Sequence, residues 1–136
     1  HAEVRKWSFD KKEIDYRQHL RWFKQKLGNK YSRIYIAENG RGQKLGQVRF
    51  ERKSGGSVSV NINLNPDFMN KGLGNKILSE ATLEYLKENR KIQEVWAEIL
   101  EKNTASRKAF QKAGYQFFWS SSKAGEATAV YRYARN

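Results

Sequence analysis

Gly72 and Gly74 stand in Lys71-Gly72-Leu73-Gly74, between a stretch that alternates like a strand and one that repeats like a helix. The first N–H groups of a helix have no partners within it, and a glycine lets a phosphate come close to them. Loop and helix dipole together therefore make an anion cradle. Two phosphate-binding motifs do not fit: the dinucleotide fingerprint needs a third glycine where this chain has Ile77, and the triphosphate-binding loop needs a Gly-Lys-Ser/Thr ending. The alternative is that both glycines only shape a tight strand-to-helix turn.

The elements on either side carry clear periods. From Ser57 to Leu64, Val58, Val60, Ile62 and Leu64 fall on one face and Ser57, Ser59, Asn61 and Asn63 on the other, as in a strand. Beyond Pro66 and the glycines, Leu73, Ile77, Leu78, Ala81 and Tyr85 recur at helical spacing. Upstream, Asp15 and Gln18 read as a capping box before the apolar stripe Tyr16, Leu20, Phe23 and Leu27, which predicts a helix over residues 15–27 ended by Gly28-Asn29. Residues 31–38, 44–53 and 57–64 then form an antiparallel meander, turned at Asn39-Gly40 and Ser54-Gly55-Gly56. A strand over 92–100 follows the glycine-loop helix. After it come a helix over 104–113, with Ala105, Ala109, Phe110 and Ala113 inward and Gly114 as C-cap, and a closing hairpin of 115–120 and 127–133. The order αβββαβαββ predicts an α+β domain in which the strands at Ser57 and Ile92, joined through a helix, run parallel.

Composition narrows the function classes. One domain is expected from 136 residues, and 38% apolar with 30% charged residues fits a folded core beneath a solvated surface. No apolar run is long enough for a membrane helix, no secretory pattern opens the chain, and a cytoplasmic protein is expected. With no cysteine and only His1 and His19, neither a metal site nor redox chemistry is expected. The net charge of +13 attracts anionic partners without specifying which, and it also fits a basic surface of no special function.

The element order, Leu64-x-Pro66-x-x-Met69-x-x-Gly72-x-Gly74, and Asn103-x-x-Ser106 ahead of Ala113-Gly114-Tyr115 together resemble the GNAT superfamily of acetyl-CoA-dependent N-acetyltransferases over nearly the whole chain. The resemblance implies a mixed, mostly antiparallel central sheet flanked by helices, with a parallel strand pair that splays. It implies that the amides of Met69, Asn70, Lys71, Gly72, Leu73, Gly74 and Asn75 hold the coenzyme A pyrophosphate. Backbone from Ile62 through Asn63 to Leu64 would pair with the pantetheine arm, and Asn103, Ser106 and Phe110 would complete the cofactor site. Ile14, His19, Trp22-Phe23, residues 34–38 and Gly46-Gln47-Val48-Arg49-Phe50 look like the acetyltransferases of pseudaminic acid biosynthesis, which act on amino-sugar nucleotides.

This chain departs from the family pattern at three places. Met69 stands where Arg or Gln is usual, and Phe110 where many members carry a Tyr that protonates the leaving thiolate, which a phenyl ring cannot do. Members also usually open with a strand and a helix ahead of the segment matching Val4-Arg5-Lys6, so residues 1–136 are expected to be one domain cut from a longer chain. Its sheet would be one strand short, or completed by a partner, whether an upstream domain or a second copy.

The reaction so implied is attack of an amine on the acetyl thioester. Strand parity puts Gln47 with Arg49 and Asn61 with Asn63 on common faces, and turns Glu98 away from Val95, Ala97 and Ile99. If those polar faces converge, Glu98 is the base by type, Asn61 orients the amine, and Gln47 and Arg49 hold the acceptor. The alternative is a structural Arg49–Glu98 ion pair, or simply two exposed side chains. His19 is read as a packed or solvated helix residue, the tryptophans as core or rim, and Tyr16, Tyr31 and Tyr35 as possible substitute acids. The acceptor is expected to be an amino-sugar nucleotide. The rival readings are a protein N-acetyltransferase of the ribosomal type, an inactive coenzyme A-binding domain, and a basic nucleic-acid-binding module.

Overall fold

The computed structural model describes residues 2–7 and 20–26 at the level of the backbone, and residues 31–53, 56–68 and 72–135 in full. Eight strands form one sheet in the order β1-β2-β3-β4-β5-β6-β8-β7. They are β1 (Ala2–Trp7), β2 (Leu20–Lys26), β3 (Ser32–Glu38), β4 (Lys44–Arg52), β5 (Val58–Leu64), β6 (Glu94–Leu100), β7 (Gln116–Lys123) and β8 (Glu126–Ala134). A short turn at Pro66–Phe68 follows β5, and two helices, α1 (Gly74–Glu88) and α2 (Thr104–Lys112), flank β6 in sequence. Every pairing is antiparallel except β5 with β6, the α+β arrangement with one parallel pair that the element order implies.

Two expectations fail at the N-terminal end. Residues 20–26 are a strand, not the second half of a helix: Arg21 to Lys26 pair with Glu38 to Arg33 of β3, and Leu20 to Gln25 with Trp7 to Ala2 of β1. The Leu20 and Phe23 spacing that suggested a helix is only a local signal, and hydrogen bonding on both edges overrides it. The start of that expected helix, with Tyr16 and His19, lies outside the described residues, as do Ile14 and Leu27. The sheet is also not a strand short, because Val4-Arg5-Lys6 lies within β1 and extends it by antiparallel pairing, Val4 opposite Phe23.

One face of the sheet packs on the helices. Val48 and Phe50 of β4, Val58 and Val60 of β5, Val95, Ala97 and Ile99 of β6, and Ala129 and Tyr131 of β8 meet Ile77, Leu78, Ala81 and Tyr85 of α1 and Phe110 of α2. Burying each large apolar side chain contributes about 1.5–3 kcal/mol, and the aromatic members add geometry. Phe50 stacks on Tyr85 with ring centroids 4.3 Å apart, and Tyr35 meets Phe50 edge-on at 5.7 Å. Polar groups in this core are paired: Tyr115 Oη and Thr82 Oγ1 lie 2.8 Å apart, and Tyr35 Oη donates to Glu88 Oε1 at 2.6 Å. Arg135 ties the end of the chain to the C-terminal turn of α1 by donating to the Leu86, Asn89 and Ile92 carbonyls.

The second face carries the polar set. Because Ser59 is registered with Trp96, Arg49 with Asn61, and Glu98 with Val130, the side chains of Gln47, Arg49, Ser59, Asn61, Asn63, Trp96 and Glu98 all point away from the helices. No described helix covers this face.

Candidate active site

The site begins where β5 and β6 part. Their ladder is Ser59 with Trp96; beyond that point β5 stays with β4 as far as Leu64 opposite Gly46, and β6 stays with β8 as far as Leu100 opposite Thr128. The edge of β5 that faces β6 is therefore free of ladder bonds beyond Val60 among the described residues. A cleft of about 400 Å³ fills the opening.

Ile62, Asn63 and Leu64 of β5 form one wall, Gly72, Gly74 and Asn75 one end, and α2 the other wall, through Asn103, Ala105, Ser106, Lys108, Ala109 and Lys112. Helix α1 starts with no side-chain cap on Leu73, and its first described helical bond runs from the Ile77 amide to the Leu73 carbonyl at 2.9 Å. The amides of Gly74 and Asn75 have no acceptor among the described residues, so the positive end of the α1 dipole opens on the cleft. A Cβ built on Gly74 would meet Leu64 Cδ1 at 3.2 Å and Ala109 Cβ at 3.6 Å. A side chain there would fill the cradle; the space suits a ligand that lies against the backbone. Gly72 is required for another reason: its φ of +71° is one that L side chains rarely adopt.

Asn103 is the N-cap of α2, its Oδ1 accepting from the Ser106 amide at 3.1 Å. This fixes the side chain beside the cleft with its Nδ2 donor unpartnered among the described residues. Lys108 and Lys112, four residues apart, place two cations on the same wall.

Eight of the expected cofactor residues thus line one cleft: Ile62, Asn63, Leu64, Gly72, Gly74, Asn75, Asn103 and Ser106. Two do not. Leu73 is turned into the core, and Phe110 is 2% exposed, edge-on to Tyr115 at 4.9 Å. Phe110 belongs to the apolar stripe of α2, and burial of its ring decides its direction. Met69, Asn70 and Lys71 lie outside the described residues. Ala105, read as an inward core residue, is exposed on the cleft wall. Lys108, Ala109 and Lys112 were missed as site residues although, with Ala105, they keep the three- and four-residue spacing of one helix face.

On the open face the expected catalytic and acceptor residues are close in register but are not one network. Glu98 Oε2 accepts from Thr128 Oγ1 at 2.7 Å. Arg49 pairs with Glu51 at 3.1 Å, and the Arg49–Glu98 pair that was the alternative to a catalytic role is not formed among the described residues. Glu51 sits two residues along Arg49's own strand, whereas Glu98 lies across the splay. Lys53 and then Arg49 hold the Glu51 carboxyl below its ordinary range. Gln47 Oε1 accepts from Lys44 Nζ at 2.7 Å, beside Asn63 in a second hollow on this face. Asn61 is exposed two residues past Ser59, level with Glu98 two residues past Trp96. Tyr35 is no substitute acid for the cleft: it is buried in the core, and burial, reinforced by Glu88, pushes its phenol upward. Tyr31 is exposed in the turn just ahead of β3. Among the described residues no three His, Asp or Glu side chains converge as a metal-binding group, and no helix is long and apolar enough to cross a membrane.

Comparison with known proteins agrees with this architecture. A family model described as an acetyltransferase (GNAT) domain matches residues 1–116, and the chain belongs to that family. No curated protein matches the sequence. Among solved structures, a putative acetyltransferase from Acinetobacter baylyi superimposes with a TM-score of 0.67 at 20% identity, covering 76% of this chain and 64% of that one. The enzyme AAC(6')-Ib, in complex with ribostamycin and coenzyme A, gives 0.65 at 18% identity, covering 77% and 65%. A variant of the spermidine N-acetyltransferase SpeG from Vibrio cholerae gives 0.69 at 13% identity, covering 79% and 68%. The chain thus spans about two thirds of the length of such neighbours, and at these identities the likeness is one of fold.

Proposed function

We propose that residues 1–136 act as a single acetyl-CoA-dependent N-acetyltransferase domain whose acceptor is a small primary amine, favoured as an amino-sugar nucleotide. The observation that carries this reading is the conjunction of an uncapped α1 N-terminus, a glycine whose Cβ would fill the cleft, and a β5 edge left without ladder partners beyond Ser59. These residues fit coenzyme A. The Gly74 and Asn75 amides would hold the pyrophosphate, Lys108 and Lys112 would offset its charge, and the free β5 edge at Ile62 to Leu64 and Asn103 Nδ2 would hold the pantetheine arm. Bound acetyl-CoA supplies an acyl group on a thiolate that leaves readily.

The chain's own part is to place the amine and take its proton. Glu98, fixed by Thr128, is the base on the open face, and Asn61 at the same level orients the amine. Gln47 and Arg49 hold more distant parts of the acceptor, exchanging their contacts with Lys44 and Glu51 for it. A basic surface suits a nucleotide diphosphate, and the neighbours whose names carry an acceptor, an aminoglycoside acetyltransferase and a spermidine N-acetyltransferase, are proteins of amine substrates. The protein would work in the cytoplasm.

Thermal melting with acetyl-CoA tests the reading. Ligand at 100 times its Kd stabilises by about 2.7 kcal/mol, so the melting temperature should rise by several degrees. No rise at millimolar acetyl-CoA would overturn it. A thiol-release assay over sugar nucleotides, polyamines and peptides then assigns the acceptor.

A further inference from the structure

The geometry points to the seat of the acceptor: the hollow on the open face between β5, β6, β8 and β7 takes the ring of an amino sugar, with the Trp119 indole against its C–H face and Glu98 at its amine. This rests on the transferase reading above. The hollow measures about 400 Å³ and is lined by Ser57, Ser59, Trp96, Glu98, Trp119 and Ser121, with Val130 at its base.

Its position follows from register. Glu98 and Asn61 lie two residues past the Trp96–Ser59 contact, on the same face and on either side of the opening between the strands. An acyl group lying along the free edge of β5 meets the open face at that opening, beside the Glu98 carboxylate. One carboxylate oxygen is held by Thr128, itself 2% exposed, and the other has no partner among the described residues. Thr128 is thus a positioning residue for the carboxylate.

The aromatic wall is built by a bulge. Phe117 pairs with Tyr131, and the register then shifts so that Trp119, not Phe118, faces Val130. Strict alternation would return Trp119 to the face of Phe117. The extra residue instead puts Phe118 and Trp119 together on the open face, where Phe118 meets Trp96 edge-on at 5.1 Å and Trp119 lies 6.2 Å from Trp96. The Arg132 guanidinium lies 4.7 Å from the Phe118 ring centroid and 5.9 Å from that of Trp96. Trp119 has no such cation among the described residues and remains 52% exposed.

An exposed indole face carries the negative part of its quadrupole and attracts the weakly positive C–H face of a saturated ring. The hydroxyls of Ser57, Ser59 and Ser121, unpartnered among the described residues, match ring hydroxyl groups. The carboxylate matches an ammonium group. A few polar groups beside an apolar wall are the mark of a small-molecule site. A linear polyamine would also meet the carboxylate and could set a cation on the indole, but it has no ring face to lie flat against the plane and no hydroxyl groups for the serines.

The test is saturation-transfer NMR with D-glucosamine and with spermidine, each in the presence of coenzyme A, on the wild type, Trp119→Ala and Trp119→Phe. The sugar ring protons should receive saturation in the wild type. Glucosamine affinity should fall about tenfold in Trp119→Ala and be largely kept in Trp119→Phe, and spermidine should lose less than glucosamine in Trp119→Ala; an equal loss for both would overturn the ring-stacking seat. Absence of ring-proton saturation in the wild type, or equal glucosamine affinity in the wild type and Trp119→Ala, would overturn the inference. Trp119 is exposed on an edge strand, and unchanged circular dichroism confirms that each variant is folded. Loss of the acetyl-CoA melting shift marks failure of the transferase reading; an intact shift with unchanged glucosamine binding in Trp119→Ala marks failure of this one alone.

Discussion

Ser59 and Trp96 face each other across the register contact that joins the parallel strands β5 and β6, and past them the two strands take different partners. That contact is the hinge of the site. On the helix side the opening becomes the cleft below α1, and on the other side it sets Asn61 level with Glu98. The helices pin the parting from beneath, because Val58, Val60, Val95 and Ala97 are all buried in the core.

Gly72 and Gly74 separate backbone strain from ligand space. Gly72→Ala meets nothing within 4 Å but must hold a φ of +71°, so it should cost about 1 kcal/mol of stability with little direct obstruction. Gly74→Val has no such strain, yet its side chain enters the space between Leu64 and Ala109. It should lower acetyl-CoA affinity at least tenfold with a smaller change in melting temperature. Calorimetric titration and thermal melting of both variants check the pair; if Gly74→Val unfolds the chain before it weakens binding, the glycine has a purely structural role.

Asn103 does two things with two atoms. Asn103→Ala removes the α2 cap and should cost about 1 kcal/mol, together with cofactor affinity. Asn103→Asp keeps the oxygen that accepts from Ser106 but loses the Nδ2 donor and adds a negative charge to the cleft. Its melting temperature should match the wild type while its acetyl-CoA Kd rises about tenfold. Equal Kd in Asn103→Asp and wild type would confine Asn103 to capping.

Phe110→Tyr does not restore a proton donor. The ring is buried against Tyr115, so the added hydroxyl has core around it and should cost about 1–3 kcal/mol. Turnover should not increase at any pH. A faster variant of unchanged stability would show that the ring reaches the cleft.

Glu80 gives a pH signature of the fold. Burial first, then the neighbouring Glu84, raise its carboxyl above the ordinary value, with Lys76 pulling the other way. The folded chain therefore keeps this proton to higher pH than the unfolded chain, and stability falls as pH rises from the unfolded value of about 4.3 through the raised folded one. At pH 7 Glu80→Gln should be more stable than wild type by about 0.3 kcal/mol, the size of a relieved like-charge pair. The gain should vanish below pH 4. Urea melts at both pH values measure it, and a gain that persists in acid would assign the effect to packing.

Much of the fold was legible because its signals are local. The faultless alternation from Ser57 to Leu64 and the three- and four-residue repeat from Leu73 to Tyr85 both place apolar residues on one side, and these became β5 and α1. The glycine pair between them marked the start of the cleft. The opposite wall was half legible: Asn103 and Ser106 were found as a motif, while Ala105 and Ala109 were read as core because small apolar residues look alike whether they pack on protein or line a space.

Period and turn chemistry depend on neighbours a few residues apart, and so the chain alone determined the strand–loop–helix unit, the parallel crossover and the hairpin that closes the sheet. Pairing depends on residues far away in sequence. Only the tertiary structure made residues 20–26 a strand, by giving them partners on both edges. It also put two consecutive aromatics on one face through a bulge in β7. In both cases pairing with a distant strand outweighed a local preference worth only tenths of a kcal/mol.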